Sequence, residues 1–232
     1  MEVFEYSFSM NKNLCFYGVG ETIFFFILRG GIEVNLLIIG AGGHGQCCMS
    51  IAERMNIFDK ISFLDDDERY ELSDIVVGKI EDLDHLTNEY DSVFVAIGNN
   101  EVRKKLYDKA RLLGYKLPIL IDPHASVSKY CYIGEGSVIF PCAVLETNCH
   151  VSKGCIISSN TTINHDAYIN DYTLVYSNSV IRPRTHIGEM CLIESRCVIS
   201  SGITIKPHSY ISEGRVVNND REYAYEGGVS RV

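Results

Sequence analysis

The chain has 232 residues, with 21 Lys plus Arg against 30 Asp plus Glu and a net charge of −9. At about 150 residues per domain that is one or two domains, long enough for a sizeable core. The acidic balance argues against nucleic-acid or anionic-membrane partners, which need a basic face; a small anion held by backbone N–H groups stays possible.

No run approaches the roughly 20 apolar residues of a membrane span, and the greasiest stretch, Ile23 to Leu28, is short. The start carries Glu2 and Glu5 where a secretory signal would be basic, so the expected location is cytoplasmic. The chain is too long, and the spacing of its nine cysteines wrong, for a disulfide framework.

Residues 1–33 show no clean period and end in Arg29-Gly30-Gly31. Two readings stay open. Either the segment is an over-extended reading frame, with the natural start near Val34, or it adds a strand or an oligomer contact.

Residues 34–122 alternate apolar runs with helical patterns. The runs are Leu36 to Ile39, Ile61 to Leu64, Val93 to Ile97 and Leu117 to Ile121. Such continuous strands predict a small parallel sheet covered on both faces. A helix is expected after the third run, capped by Asn99 or Asn100, with Val102, Leu106, Ala110 and Leu113 inward and Arg103, Lys104 and Lys105 outward. Gly40-Ala41-Gly42-Gly43-His44-Gly45 satisfies G-x-G-x-x-G after a strand and before a helix, with Asp65 twenty residues beyond Gly45. Glycines there let backbone approach a pyrophosphate; the bland reading is a tight turn that binds nothing. A unit of about ninety residues is short for the two halves that hold NAD, which favours a nucleotide sugar or mononucleotide.

From Ile121 to Val217 every sixth residue is Ile, Leu or Val, seventeen positions in succession. Chance gives this on the order of 10⁻¹⁰. The position four residues after each aliphatic is usually small, and Cys131, Cys149, Cys155, Cys191 and Cys197 fall there as compact packing residues. Residues 123–220 are therefore a hexapeptide solenoid, followed by a tail at 221–232.

Histidines do not assemble a metal site. His150 and His186 share a column two coil rises apart, roughly 9.6 Å, too far for one ion. His165 differs because Asp166 follows it: an outward imidazole beside a carboxylate can act as a general base, against the plainer reading of an exposed turn histidine.

The segments "LLIIGAGGHG", "FLDDD", "AIGNNEVRKKL" and "INHDAYIND", with the unbroken repeat, resemble the sialic acid O-acetyltransferase and nucleotide-amino-sugar N-acetyltransferase family. The resemblance implies α/β plus β-solenoid architecture: a Rossmann-like parallel sheet domain, then a left-handed parallel β-helix of about five coils. It implies a UDP-sugar held by Gly42, Gly43, His44, Asp65, Asp66, Gly98 and Asn99, and a catalytic pair at His165 and Asp166. It further implies acetyl-CoA as co-substrate, with main-chain contacts near Ser195, Glu213 and Gly214, no metal, and a homotrimer.

Three departures bear on the CoA side. Leu174 stands where the family has a histidine, Asn178 replaces a glycine, and a late glycine-rich coil keeps only Gly214. Arg182, Arg184, Lys206 and Arg215 are candidates for the CoA phosphates, or else solvated edges. The leading reading is N-acetylation of a nucleotide-linked amino sugar for surface glycan synthesis. O-acetylation of a sialic acid and a non-catalytic sugar-nucleotide-binding trimer are the alternatives.

Overall fold

A computed structural model describes residues 33–70 and 73–219. The expectations for the N-terminal segment before residue 33 and for the tail lie outside the described residues.

The N-terminal unit places β1 (Asn35–Ile39), α1 (Gly43–Met55), β2 (Lys60–Leu64), β3 (Val76–Gly78), β4 (Ser92–Val95) and α2 (Asn100–Leu112) in chain order. The four strands make a parallel sheet in the order β3-β2-β1-β4. Alternate residues of β1 serve opposite faces. Leu36 and Ile38 pack with Cys48 and Ile51 of α1, while Leu37 and Ile39 pack with Tyr107 and Ala110 of α2. Because both faces are covered, the strands read as unbroken apolar runs.

Three expectations are corrected here. The run Leu117 to Ile121 does not become a fourth sheet strand: Lys116 makes one bridge to Ser92, and Leu120–Ile121 opens the solenoid. The fourth strand is Val76–Gly78, too short and polar-flanked to stand out by hydropathy. On α2 the inward face is also different. Val102 is 43% exposed, whereas Arg103 is fully buried beside Tyr107 and Ala110, because every guanidinium N–H finds an acceptor. The cap is as read: the Asn99 side chain accepts the Val102 N–H at 3.0 Å.

From β5 (Leu120–Ile121) to β21 (Val216–Val217) the chain lays down two-residue strands in three parallel sheets of six, six and five. Each strand pairs with the one 18 residues on, as His150 does with Tyr168 and Ile156 with Leu174. The result is a three-sided left-handed β-helix. The second residue of each strand points inward, so Ile139, Val151, Ile157 and Ile163 are wholly buried, and the five predicted cysteines join them at 0–1% exposure. From residue 136 to 214 each coil corner holds a left-handed residue, glycine at 136, 154, 202 and 214 and others elsewhere, among them Asn148, Asn160, Asp166, Tyr172, Asn178 and Arg184.

The faces have different surroundings. The outward residues Leu120, Val138, Ile156 and Leu174 of the first face share a core with Leu36, Ile38 and Cys48. The N-terminal unit therefore lies on that face. The second face shows Val144 and Val216 to solvent. The third carries a stack of rings, with Tyr132 to His150 centroids at 4.3 Å and His150 to Tyr168 at 4.0 Å. Polar contacts fix the junction. Arg54 donates to the buried Asp122 at 2.9 and 2.5 Å, Tyr107 donates to Gly136 O at 2.8 Å, and Asn100 donates to Met190 O at 3.0 Å.

Candidate active site

Two groups of residues carry chemistry, and they stand at different corners of the prism. The first is the crevice at the carboxyl ends of β1 and β4, where open parallel sheets bind ligands. Gly40 adopts φ 101°, and a Cβ there would meet Ile97 Cδ1 at 2.9 Å; a Cβ on Gly45 would fall 1.8 Å from Gly40 O. Those glycines close the strand-to-helix turn. Gly43 and Gly98 are different, since a Cβ on either would meet nothing within 4 Å, and one on Gly42 only Tyr70 Oη at 3.9 Å. Here the backbone borders open space from both sides of the crevice. The first turn of α1 holds no acidic residue and no side-chain cap, which leaves its positive end available to an anion.

His44 lies in this turn, stacked on Phe140 of the solenoid at 5.6 Å and 13°. Burial, then the nearby Arg103 charge, push its imidazole down to about 4. It is therefore neutral at physiological pH. Asp65 accepts the Ala41 N–H at 2.5 Å and the Asp67 N–H at 2.8 Å, while Asp66 accepts the Ile80 N–H at 2.9 Å. Both carboxylates hold the loops that frame the crevice. Asn99 spends its side-chain oxygen on the helix cap.

The second group surrounds His165, at the corner between the second and third faces, away from the chain's own N-terminal unit. The ring is 43% exposed. Its Nδ1 lies 2.8 Å from Asp166 Oδ2, and the other carboxylate oxygen accepts from Asn148 Nδ2 at 3.3 Å. Glu146 Oε2 accepts the His165 backbone N–H at 2.9 Å. The hydrogen bond with His165, then that from Asn148, holds the Asp166 carboxyl below its usual range, with the Arg184 charge adding to the effect. In the tautomer whose Nδ1–H donates to the carboxylate, the lone pair sits on Nε2, the arrangement a general base needs.

Glu146 and Asn148 were not singled out in the sequence. The signal was there as arithmetic, because Asn148 lies one 18-residue coil before Asp166 and Glu146 one coil before Asn164.

The other predicted residues divide. Arg182 and Arg184 share the His165 corner. Ser195, Glu213 and Gly214 do not: they sit at the corner between the first and second faces, where Gly214 N–H donates to Ser195 O at 2.9 Å and Glu213 pairs with Arg196 at 2.6 Å. Lys206 and Arg215 stand on other corners than His165. Leu174 is 3% exposed in the core between the two units, so its identity bears on domain packing. Asn178 adopts φ 63°, the left-handed turn a glycine would supply. Among the described residues no helix is long and apolar enough to cross a membrane, and no three His, Cys, Asp or Glu cluster in a way that could hold a metal.

A small parallel sheet with an open glycine-rich crevice, set on one face of a β-helix that displays a His-Asp pair, defines a two-unit solenoid protein. Comparison with known proteins finds two matching domain families and several similar proteins. The PglD N-terminal domain family matches residues 35–110, and the GMPPB C-terminal domain family matches residues 116–221. The UDP-N-acetylbacillosamine N-acetyltransferase of Bacillus subtilis (strain 168) is 33% identical over 109 residues, which is 45% of this chain and half of that protein's length. The acetyltransferase domain of PglB from Neisseria gonorrhoeae FA1090 superposes with a TM-score of 0.77 at 29% identity, over 81% of this chain and 93% of that one. GDP-perosamine N-acetyl transferase from Caulobacter crescentus, solved with CoA and GDP-perosamine, superposes with a TM-score of 0.77 at 26% identity, over 80% and 89%. Over about four fifths of its length the chain is thus similar to solved acetyltransferase structures, at 26–29% identity.

Proposed function

We propose that this chain is an acetyl-CoA-dependent N-acetyltransferase acting on the amino group of a nucleotide-linked amino sugar, with His165 as general base. The observation that carries the reading is the His165–Asp166 dyad, half-exposed, with Nδ1 2.8 Å from the carboxylate and so Nε2 left for a substrate proton. The open crevice at Gly42, Gly43 and Gly98 supports a nucleotide sugar as acceptor. Two of the relatives reported above, from Bacillus subtilis and Caulobacter crescentus, are N-acetyltransferases by name, which favours an amine over a hydroxyl and so N-acetylation over sialic acid O-acetylation.

In the reaction the amine nitrogen attacks the thioester carbon of acetyl-CoA, and His165 Nε2 takes the proton as the N–C bond forms. Asp166 stabilises the imidazolium, backbone N–H groups hold the oxyanion, and collapse breaks the C–S bond. The imidazolium returns its proton to the departing thiolate, which restores the base and balances the step.

His44, at the crevice, and His165 stand on different corners with the second face between them. That face keeps Val144 and Val216 exposed. A homotrimer burying it would bring the crevice of one protomer to the His165 of its neighbour, a reason to expect a symmetric, shared site. Cytoplasmic location and a role in surface glycan synthesis belong to the same reading.

The test is product mass after incubation with acetyl-CoA and a panel of UDP-, dTDP- and GDP-amino sugars plus free sialic acid. A product heavier by one acetyl group, absent with His165→Ala, is expected from a nucleotide amino sugar. Acetylation of sialic acid alone would replace the acceptor class, and no product from any acceptor would point to the binding trimer.

A further inference from the structure

Arg103 is the largest fully buried side chain among the described residues. All five of its N–H donors are used. Nε donates to Gly154 O at 2.9 Å, Nη1 to Ile97 O at 2.9 Å and Gly98 O at 3.0 Å, and Nη2 to Asn100 Oδ1 at 2.7 Å and Tyr172 O at 2.8 Å. Every acceptor is a neutral carbonyl. A buried cation is ordinarily matched by a carboxylate, and here the acceptors compensate it with dipoles alone.

Position gives this charge a use. The carbonyls of Ile97 and Gly98 belong to the turn after β4, the wall of the crevice opposite the glycine-rich turn. No peptide here is cis, so the N–H of a peptide unit points opposite to its C=O. Drawing those two carbonyls onto the guanidinium turns the N–H groups of Gly98 and Asn99 away from it, on a turn where a Cβ at Gly98 would meet open space. The field also reaches across the crevice, since the same charge helps keep His44 neutral. The remaining acceptors, Gly154 O and Tyr172 O, belong to the solenoid and lock the cation in place.

We infer that Arg103 is a specificity-determining positioning residue, whose unmatched buried charge selects a ligand carrying a diphosphate in the crevice between the turns after β1 and β4. It acts through the Gly98 turn and through space, without touching the ligand. The inference rests on the nucleotide-sugar reading and adds the residue that makes the crevice prefer a charged nucleotide over its nucleoside.

The test compares UDP and GDP with uridine and guanosine, by titration calorimetry or competition, on wild type, Arg103→Gln, Arg103→Lys and a protein with citrulline installed at position 103. Citrulline keeps the shape and most donors but lacks the charge. Citrulline and Gln are expected to weaken the diphosphate by about tenfold to thirtyfold while the nucleoside changes by less than about twofold, and Lys to retain most of the preference. Equal losses for nucleotide and nucleoside would make Arg103 a structural rivet and overturn the inference. So would an unchanged diphosphate affinity, or a citrulline protein that cannot fold. Wild type that binds neither diphosphate would instead sink the nucleotide reading itself.

Discussion

Asp166 presents its carboxylate to His165 from a left-handed backbone: φ is 58°, and Oδ2 lies 2.8 Å from Nδ1. That corner of the solenoid is left-handed, and Asp takes up the conformation more readily than most non-glycine residues. One residue thus makes the turn and orients the proposed base.

Replacing Asp166 with Asn keeps the turn and removes the carboxylate. The base loses its stabilising partner, so kcat is expected to fall by about tenfold to a hundredfold. A kcat that is unchanged in Asp166→Asn would separate Asp166 from the proton transfer.

The glycines of the first turn give a contrast. Gly45→Ala places a Cβ 1.8 Å from the Gly40 carbonyl, a backbone clash that cannot relax cheaply, and is expected to remove about 3 kcal/mol or more of stability. Gly43→Ala meets nothing within 4 Å and occupies the first position of a helix. Its stability is expected to stay within about 1 kcal/mol of wild type while nucleotide affinity drops. Denaturant titration and calorimetry on both variants check the pair. Two equally unstable variants would contradict the division of roles.

Stability should depend on pH through His44. Its folded value of about 4 lies below the ordinary 6.5, so between these the unfolded chain binds more protons. The contribution is complete above about pH 6.5 and is lost as pH falls toward 4, by up to about 3 kcal/mol. Denaturation midpoints from pH 7 to 4 should therefore flatten in His44→Phe relative to wild type. Parallel curves for the two proteins would count against a buried neutral imidazole.

Leu174 marks where resemblance and packing part company. The family resemblance implies a histidine at this position, yet Leu174 is 3% exposed against Val138, Ile156 and α1. Leu174→His would bury an imidazole among apolar groups and is expected to lose about 2–4 kcal/mol. A thermal melt reads the effect, and an unchanged melting temperature would show the side chain reaching solvent.

The solenoid was legible because a period of six over seventeen positions admits no other repeat architecture, and each inward aliphatic and cysteine lies where the period puts it. The glycine-rich turn was legible from strand, glycines and helix in succession. The pattern misled at Arg103, where polarity argues for solvent but five acceptors from two units await it. No hydropathy pattern encodes such long-range acceptors. The same holds for Val76–Gly78, whose strand exists only through its pairing with β2. Glu146 and Asn148 became visible once residues 18 apart were read as neighbours.

The most direct test of the account mixes two inactive proteins, His165→Ala and Gly43→Trp, under conditions that let subunits exchange. If the crevice of one protomer serves the His165 of its neighbour, mixed trimers contain intact composite sites, and activity is expected to return to about a quarter of wild type. A mixture that exchanges subunits yet stays inactive would contradict the shared site.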